Sequence, residues 1–458
     1  MEKIKLTQHQ EEVFELIIDQ IKANMSYSEK THNLENRILS LTGPAGTGKS
    51  FLTAKIIDEI YKLKKENSIY DSRDIYVTAP THKAKKVIDH MLKNYNLDIK
   101  SQTIHSYLNL IKIYDLKKGI EKFIIHSSKI SYASLLIVDE SSMISKDIYK
   151  FIIELVEENH VNTVLFIGDF YQLLPINQGF NDVFKLKKQY SLSEIVRQKE
   201  NNEIIKLSTK IRDRIASKKY SDLRDIFYQH KNHLDIEFFN DEELFIEDFC
   251  KNPNWYNEDK ILTSYTNKSI DNFNKKIRNK FWLEKGIINP ASFLTLDKLR
   301  FKKSLYADSD LSHRDKTLYV NSDEVTIYNA VLTNDMIHKF QVWNCKVLEK
   351  PNRSFNVLSD NSIKFFQNKL EEYKTIAKEQ QNSVFKMAYW KKYFRLKDAY
   401  ANVQYIFAST IHKLQGSTYD TVYIDLSFIN NNNISKDLLY RLIYVAITRA
   451  RKNIKVLY

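Results

Sequence analysis

Glycine, proline and cysteine are scarce in this chain of 458 residues, which contains eight glycines, six prolines and two cysteines. Two cysteines are too few for a disulfide scaffold, and a zinc site would need them close together with histidines nearby. Cys250 and Cys345 are separated by most of a domain's length. We therefore expect two unpaired thiols.

Long apolar runs are also missing, because no uninterrupted stretch approaches the roughly 18–20 residues that a membrane span needs. Residues 1–10 are polar and contain no signal-peptide core. The composition, 43% hydrophobic and 28% charged, is typical of a globular protein of two to four domains. We expect a cytoplasmic protein, or one in the host-cell cytoplasm if a phage encodes it, with no membrane partner.

Acidic residues are outnumbered, and the formal net charge is +13 with a pI of about 9.2. A basic balance is typical of proteins with a polyanionic partner such as nucleic acid. A composition rich in Lys, Asn, Ile and Tyr, as a low-GC genome produces, explains the charge equally well. Charge alone therefore does not identify the partner.

Three of the eight glycines fall within six positions, in a full match to the phosphate-binding pattern G-x-x-x-x-G-K-[ST]. Such a loop wraps backbone N–H groups around nucleotide phosphates, and a side chain at its glycines would block that approach. The predicted nucleotide-binding residues here are Gly43, Pro44, Ala45, Gly46, Thr47, Gly48, Lys49, Ser50 and Phe51. Lys49 would contact the β- and γ-phosphates, and Ser50 would bind Mg²⁺.

The chain around this loop alternates short apolar runs with helical periodicity. Strands are predicted at residues 37–42, 74–78, 134–138 and 163–167, and a second set at 260–264, 404–408, 421–425 and 453–457. Buried strands that alternate with helices indicate parallel sheets with crossover connections. Residues 107–132 differ, because two apolar runs flank Lys117-Lys118-Gly119 and predict a β-hairpin that projects from the first sheet.

Acidic and amide side chains follow two of the predicted strands. Asp139 would complete the magnesium shell, and Glu140 would orient and deprotonate the attacking water. Gln172, after the next strand, would hydrogen-bond both the γ-phosphate and that water. Two distant arginines, Arg197 and Arg449, would supply permanently charged donors for the phosphate charge that develops during hydrolysis.

Taken in order, these motifs resemble those of superfamily 1 helicases, and among them the RecD/Dda branch of 5′→3′ DNA helicases. The resemblance spans nearly the whole chain. The blocks that carry it are GPAGTGKS (43–50), VTAPTHKAKK (77–86), TIHS (103–106), VDESSM (138–143), GDFYQLLP (168–175), VRQ (196–198), TSYTNKSID (263–271), ASTIHKLQGST (408–418) and YVAITRAR (444–451).

The resemblance implies an α/β fold class with two RecA-like parallel-sheet P-loop domains in tandem. The first domain would comprise residues 1–106 and 132–190, and the hairpin 107–131 would be an inserted pin that splits the duplex. The second domain would comprise residues 191–295 and 401–458. Residues 296–400 would form an inserted accessory domain with an SH3-like or tower structure.

The resemblance also implies further site residues. Gln10 would read the adenine edge, and Gly416 would join the nucleotide-binding set. Arg197 and Arg449 would act as sensor and finger. Contacts to a DNA strand would come from Pro80, Thr81, His82, Lys83, Thr103, His105, Asn267, Thr410 and His412.

Two aromatic residues are candidates for base contacts. Phe123 in the hairpin could wedge or stack at the fork, or simply pack within the hairpin. Trp390 could stack on a base, or pack within a charged helix. Both alternatives stay open from the sequence.

The function that the resemblance implies is ATP-dependent translocation on single-stranded DNA with duplex unwinding, in DNA replication, recombination or repair. ATP and Mg²⁺ would be required, and the partners would be single-stranded and forked DNA, with a single-strand-binding or replisome protein as a further candidate. A monomer is expected. The alternatives are a RecD-like helicase subunit of a repair nuclease complex and a non-catalytic DNA-binding relative.

Overall fold

The computed structural model describes residues 5–26, 33–66, 71–125, 130–175, 182–196, 202–230, 233–306 and 317–458. Within these ranges the chain forms two α/β units, each built on a parallel sheet, with a hairpin inserted in the first and a mixed α and β segment inserted in the second.

The helices carry labels in chain order. They are α1 (Gln8–Met25), α2 (Leu34–Arg37), α3 (Lys49–Glu66), α4 (His82–Asn94), α5 (Ile104–Tyr107), α6 (Lys146–Glu157), α7 (Glu203–Ser217), α8 (Leu223–Tyr228), α9 (Glu242–Phe249), α10 (Asn267–Glu284), α11 (Asp360–Glu379), α12 (Ser383–Lys397), α13 (Ile411–Leu414) and α14 (Lys436–Thr448).

The strands are labelled in the same way. They are β1 (Ile38–Thr42), β2 (Asp74–Ala79), β3 (Lys100–Thr103), β4 (Leu110–Asp115), β5 (Ile120–Ile125), β6 (Ala133–Val138), β7 (Val161–Gly168), β8 (Lys188–Ser191), β9 (Ile236–Phe239), β10 (Lys260–Ser264), β11 (Lys298–Phe301), β12 (Leu305–Tyr306), β13 (Thr317–Tyr319), β14 (Glu324–Asn334), β15 (Gln341–Val347), β16 (Ser354–Leu358), β17 (Val403–Tyr405), β18 (Ala408–Thr410), β19 (Tyr419–Asp425) and β20 (Ala450–Leu457).

The first sheet has six parallel strands in the order β3-β2-β6-β7-β1-β8. Its central strand β6 is buried at every position, as a parallel strand covered on both faces should be. Apolar side chains of α1, α3 and α4 pack on one face, and those of α5 and α6 pack on the other. The parallel sheet predicted for the first part of the chain is confirmed.

The second sheet has five parallel strands in the order β18-β10-β19-β20-β9. Helices α7, α8, α13 and α14 pack on one face, while α9 and α10 pack on the other. Ser435 caps α14 by accepting from the N–H of Leu438, as the sequence predicts. The prediction of two parallel-sheet domains in tandem is therefore confirmed.

One predicted strand, 404–408, is wrong as a single element. Val403–Tyr405 pairs antiparallel with Lys298–Phe301, whereas Ala408–Thr410 pairs with β10 in the parallel sheet. The apolar run continues across the junction between two sheets, so hydrophobicity alone could not place the break.

The insert between α10 and β18 consists of an antiparallel sheet, β16-β15-β14-β11-β17, a short ladder of β12 with β13, and the helix pair α11 and α12. The predicted helical character of residues 363–398 agrees with α11 and α12. The domain boundaries and the role of this insert as an accessory domain stay predictions.

The hairpin β4–β5 follows β3 and precedes β6 in the chain and forms a separate two-stranded sheet. In it, Leu110 is opposite Ile125 and Asp115 is opposite Ile120. Gly119 occupies the turn with φ of +67°, a left-handed conformation that favours glycine. Its role as a pin is likewise a prediction. Among the described helices, none combines the length and apolarity required to cross a bilayer.

Candidate nucleotide cleft and strand track

The glycine-rich loop connects the end of β1 to the first turn of α3, so its N–H groups and the helix dipole point to the same space. A Cβ at Gly43 would lie 2.9 Å from the Leu192 carbonyl oxygen, so the loop is too close to its neighbour for a side chain there. Gly46 and Gly48 adopt φ of +89° and +81°. Lys49 Nζ donates to the carbonyl oxygens of Gly43, at 2.5 Å, and Pro44, at 2.9 Å.

Gln10 holds this loop in place from α1. Its Nε2 donates to the Thr47 carbonyl oxygen over 3.0 Å, and its Oε1 accepts the N–H of Thr7 over 3.1 Å within a capping box. A Cβ at Gly48 would lie 2.5 Å from Gln10 Nε2. The glutamine therefore lies against the nucleotide loop, and the positive φ at position 48 favours glycine there.

The acidic pair follows β6, the strand next to β7. Asp139 is partly exposed where it lines the cleft, and its Oδ1 accepts the N–H of Glu140 over 2.8 Å. Burial, together with the neighbouring Glu140 carboxylate, raises the pKa of Asp139 to about 7. Glu140 has φ of +49°, which turns its side chain out of the strand direction into the cleft. A cation placed beside this pair would relieve the repulsion between the two carboxylates.

Gln172 lies in the loop after β7 and is 4% exposed. Its Oε1 accepts no hydrogen bond from any residue in the described ranges, although it lines the cleft. A buried acceptor without a donor is uncommon in folded proteins and indicates a site for a ligand or an ordered water.

The second domain forms the opposite wall of the cleft through α14. Arg449, at the end of this helix, is 4% exposed and lines the same cleft as Lys49. Its guanidinium donates to the Val445 and Ser417 carbonyl oxygens and to Thr448 Oγ1. Arg197 lies outside the described residues; the preceding Val196 donates its N–H to the Gly46 carbonyl oxygen over 3.0 Å.

Gly416 also belongs to this wall and has φ of +72°. A Cβ there would lie 2.9 Å from the Cβ of Ala84 and 3.7 Å from Cγ of Glu140, both in the first domain. Gly416 therefore permits close approach of the two domains beside the acidic pair.

Between these walls lies a cleft of about 470 Å³. The first domain contributes Gln10, Lys49, Ser50 and Phe51 with Asp139, Glu140 and Gln172, and the second domain contributes Gly416, Thr448 and Arg449. Most of the predicted nucleotide residues that the structure describes thus line one cleft, whereas Gly43, Pro44 and Thr47 belong to the same loop but do not line it. Tyr95, whose ring lies 6.1 Å from that of Phe51, is a lining residue that the sequence analysis missed.

Three more residues missed from the sequence bind the Gln172 loop to the second domain. Arg441 on α14 donates to the carbonyl oxygens of Phe170, at 2.6 Å, and Gln172, at 3.0 Å. Tyr444, one turn further along α14, donates to Asp169 Oδ2. Gln415 donates to the Leu173 carbonyl oxygen over 3.1 Å. Tyr444 and Gln415 belong to the motif blocks 444–451 and 408–418, but the spacing of residues within a block does not show which loop their side chains contact.

The predicted strand contacts lie at the carboxyl ends of parallel strands, where helices begin. Thr81 caps α4 by accepting the N–H of Ala84, and Thr103 caps α5 by accepting the N–H of Ser106. Asn267 is the first residue of α10, and Thr410 precedes α13. Since helix N-termini attract phosphates, these positions form an edge suited to a nucleic-acid backbone. Pro80 lies beside Thr81 at the same edge.

Histidines accompany these helix starts. His82 and His412 are half-buried, and burial lowers the pKa of each below its usual range. His105 retains an exposed edge, yet desolvation by the surrounding protein, followed by repulsion from His82 when that ring is protonated, also lowers its pKa. All three rings are therefore neutral at pH 7.

Lys83 is engaged within the protein. Its Nζ lies 3.2 Å from the hydroxyl of Tyr419 in the second domain and 3.2 Å from Glu324 Oε1 in the insert. Arg300 pairs with the same Glu324 oxygen at 2.7 Å. A phosphate at Lys83 would have to compete with Glu324.

The two aromatic candidates differ in exposure. Phe123 is 55% exposed, with its ring 6.3 Å from that of His105, so it is accessible beside the predicted strand edge. Trp390 is 5% exposed and stacks on Phe394 in a cluster that includes Tyr114 of the hairpin. The prediction of a base stacked on Trp390 is therefore corrected, because its ring faces are taken by protein.

A family model described as an AAA domain matches residues 25–227, and one described as a UvrD-like helicase C-terminal domain matches residues 405–456.

The ATP-dependent DNA helicase dda of Enterobacteria phage T4 is 25% identical over 480 residues, covering 98% of each chain. The ATP-dependent DNA helicase Pif1 of Campylobacter jejuni is 25% identical, covering 90% of this chain and 86% of that protein. An uncharacterized protein of Methanocaldococcus jannaschii, MJ1519, is 25% identical over 93% of this chain, which spans 37% of that protein's length.

The crystal structure of Pif1 helicase from Candida albicans aligns with a TM-score of 0.47 and 17% identity, covering 99% of this chain and 95% of that one. The two family-model matches and these relatives together support a superfamily 1 helicase of the RecD, Pif1 and Dda type.

Proposed function

We propose that this protein is an ATP-dependent DNA helicase that translocates 5′→3′ on single-stranded DNA and unwinds duplex in DNA replication, recombination or repair. The observation that carries the proposal is the cleft, in which Lys49 and Glu140 of one domain face Arg449 of the other. The names of the phage T4 and Campylobacter relatives support the activity, and the polarity rests on the family resemblance.

ATP suits the cleft because of the hydrogen bonds that Gln10 leaves unused. An amide has two N–H groups and two carbonyl lone pairs. The Thr47 carbonyl oxygen uses one N–H of Gln10, and the Thr7 N–H uses one of its lone pairs. One N–H and one lone pair of the Gln10 amide therefore stay available. Adenine presents the matching N7 acceptor and N6 donor, whereas guanine presents two acceptors. We infer that Gln10 selects adenine while it supports the phosphate loop.

Lys49 and the loop N–H groups would bind the phosphates, and Ser50 and Asp139 would hold Mg²⁺. When bound, the ion would neutralise phosphate charge. The donor set fits a hard cation, since it offers the Ser50 hydroxyl and the Asp139 carboxylate, whose pKa is raised by desolvation and then by the charge of Glu140 beside it. Glu140 would accept the proton of the attacking water.

Gln172 would orient that water through its unpaired Oε1, and Arg449 would stabilise the charge that develops on the transferred phosphoryl group. We assign Arg197 a second role of this kind. Because Arg441, Tyr444 and Gln415 tie the Gln172 loop to the second domain, movement of that domain would also move Gln172.

Domain movement of this kind would drive translocation. The DNA strand would lie along the helix starts at Thr81, Thr103, Asn267 and Thr410, with the hairpin as a pin and Phe123 exposed beside the strand. One chain supplies both walls of the cleft, so we propose a monomer. A single-strand-binding or replisome protein would be a suitable partner.

The decisive experiment compares Lys49→Ala with Lys62→Ala, an exposed lysine of the same helix that pairs only with Asp58 among the described residues. Hydrolysis of ATP stimulated by single-stranded DNA should be abolished in the first and unchanged in the second. Unaltered hydrolysis in Lys49→Ala would refute the site. Duplexes with a 5′ or a 3′ tail test polarity, and unwinding of the 3′-tailed substrate alone would reverse it.

A further inference from the structure

A basic groove lies where the hairpin turn meets the helix pair α11 and α12 of the insert. Its lining combines Gly119 and neighbouring hairpin residues with both helices. Five lysines and one glutamate line the groove: Lys118, Lys374, Lys378, Lys386, Lys397 and Glu121. No nucleotide-cleft or strand-track residue belongs to it, so it is separate from the sites described above.

Two of these lysines are already neutralised. Lys397 pairs with Glu121 at 2.9 Å, and Lys374 pairs with Glu371 at 3.0 Å. Lys118, Lys378 and Lys386 form no ion pair with any residue in the described part of the chain. Their mutual repulsion favours an anion in the groove.

A buried donor at the floor of the groove is the second, independent observation. Trp390 is 5% exposed, and its Nε1–H has no acceptor among the described residues. A side chain at position 119 would overlap its Cε2, Cζ2 and Cδ2, so the hairpin turn packs directly against the indole ring. Buried N–H groups are normally paired, and an unpaired one beside free lysines indicates an anionic acceptor. The lysine richness of the chain as a whole does not explain this donor.

The hairpin is fixed in this position by several contacts to α12. Tyr114 donates to Asp398 and its ring lies 4.4 Å from that of Phe394. The Glu121 carboxylate forms two ion pairs, one with Lys112 of the hairpin at 3.0 Å and one with Lys397 of α12 at 2.9 Å. The groove is therefore a formed feature with two rigid sides.

We propose that this groove binds the phosphate backbone of the DNA strand displaced at the hairpin, an inference that rests on the proposed helicase function. The predicted strand track lies at the base of the hairpin, where His105 contacts Phe123. Gly119 is four residues further along the hairpin, about 13 Å at the rise of a β-strand. In this proposal, a strand separated from its partner at the hairpin would leave toward the opposite end, where the lysines lie.

The groove would hold the excluded strand away from the tracking strand and oppose reannealing. Contacts of this type neutralise phosphates without reading bases, so binding should be insensitive to sequence and sensitive to salt.

The test uses the full chain without ATP and measures equilibrium binding of three labelled DNAs. They are a single strand, a duplex with a 5′ tail, and a fork with the same duplex and 5′ tail plus a non-complementary 3′ tail. The variant is Lys378→Glu with Lys386→Glu, and the matched control is Lys364→Glu with Lys392→Glu, an equal charge change at exposed positions of the same two helices outside the groove.

We expect the groove variant to lose about tenfold or more in affinity for the fork, with single-strand and tailed-duplex affinities within about twofold of wild type. The slope of log affinity against log salt for the fork should fall by about 1.4, the value for two single-strand phosphate contacts. Trp390→Phe, which keeps an aromatic ring and removes the N–H, should weaken fork binding roughly threefold to tenfold.

Equal loss on all three DNAs would assign the lysines to the tracking strand, and equal loss on fork and tailed duplex would assign them to the duplex. Either result, or no loss, overturns the proposal, as does the same loss in the control pair. DNA-stimulated ATP hydrolysis of the wild type tests the helicase function separately, since these binding measurements do not require turnover.

Discussion

The hydroxyl of Tyr444 joins the two domains at the nucleotide cleft, donating to Asp169 Oδ2 over 2.8 Å while accepting the N–H of Ala45 over 3.2 Å. Burial, and then the charge of Asp169, raises the pKa of Tyr444 well above its usual range, so the hydroxyl keeps its proton. One side chain of α14 thus contacts the phosphate loop and the loop that bears Gln172. We infer that Tyr444 is a positioning residue for hydrolysis.

Tyr444→Phe should reduce kcat for DNA-stimulated ATP hydrolysis by about tenfold or more, with the KM for ATP changed less than about threefold, because hydrogen bonds to charged groups contribute about 1.5–3 kcal/mol. The ring would still pack, so the loss would report the hydroxyl. Steady-state kinetics at saturating single-stranded DNA measure both constants.

Tyr440→Phe is the matched control for Tyr444→Phe. Tyr440 lies one turn earlier on α14, is equally buried, and donates to the Ser221 carbonyl oxygen away from the cleft. Loss of the Tyr440 hydroxyl should lower the stability of the fold slightly and leave kcat unchanged. A similar fall of kcat in both variants, or a rise of KM alone for Tyr444→Phe, would contradict a positioning role.

Arg449→Ala should remove the cationic donor that the second domain brings to the cleft. We expect kcat to fall about a thousandfold, in the range of known arginine fingers, with binding of ATP largely kept. Fluorescent nucleotide binding and hydrolysis rates together measure the two effects. Arg451→Ala, an exposed residue paired with Asp259 and Asp420, is the control. Loss of nucleotide binding without loss of kcat would exclude a role in the transition state.

Glu324→Gln should strengthen binding of single-stranded DNA. Glu324 holds Lys83 at 3.2 Å, and its side chain is 44% exposed, so the pair is worth at most about 1 kcal/mol and its release at most about fivefold in affinity. Glu242→Gln, which breaks the exposed pair with Lys276, controls for net charge. An unchanged or weaker affinity in Glu324→Gln would show that Lys83 serves domain contact rather than DNA.

The sequence predicted the parts of the site that are local in the chain. The glycine pattern at Gly43–Ser50 and the residues after β6 and β7 depend on a loop or a strand end that a few neighbouring residues determine. Tyr444, Arg441 and Gln415 were missed because their partners lie in the other domain, at separations of more than 200 residues. Such pairs depend on how two domains dock, which no local pattern records.

The burial of Trp390 also could not be predicted from local sequence. Its position in a charged helix fits a surface role, but the hairpin covers it, and the two segments are about 270 residues apart. The split between β17 and β18 was also not readable, since the apolar run changes sheets without a polar break. The interdomain contacts, the burial of Trp390 and the split between β17 and β18 all depend on packing between distant segments.

Affinity for single-stranded DNA should rise as the pH falls from 8 to 6, because the proposed strand track contains neutral histidines. Burial lowers the pKa of His82 and His412 in the free protein, and a phosphate would favour the protonated ring. Binding would then take up protons, with a gain of roughly threefold or more in affinity over this interval. The fold responds in the opposite sense, since a lowered histidine pKa costs stability as the pH falls through the unfolded value near 6.5.

Fluorescence anisotropy of a labelled oligonucleotide between pH 6 and 8.5 measures this dependence, with thermal unfolding recorded at each pH to confirm that the protein stays folded. His412→Gln should flatten the curve, because the amide can still contact a phosphate but does not titrate. His90→Gln is the control, since His90 lies exposed on α4 and contacts Asn94. A slope that survives both His412→Gln and His82→Gln would mean that the protons bind elsewhere, and these histidines would then not face the strand.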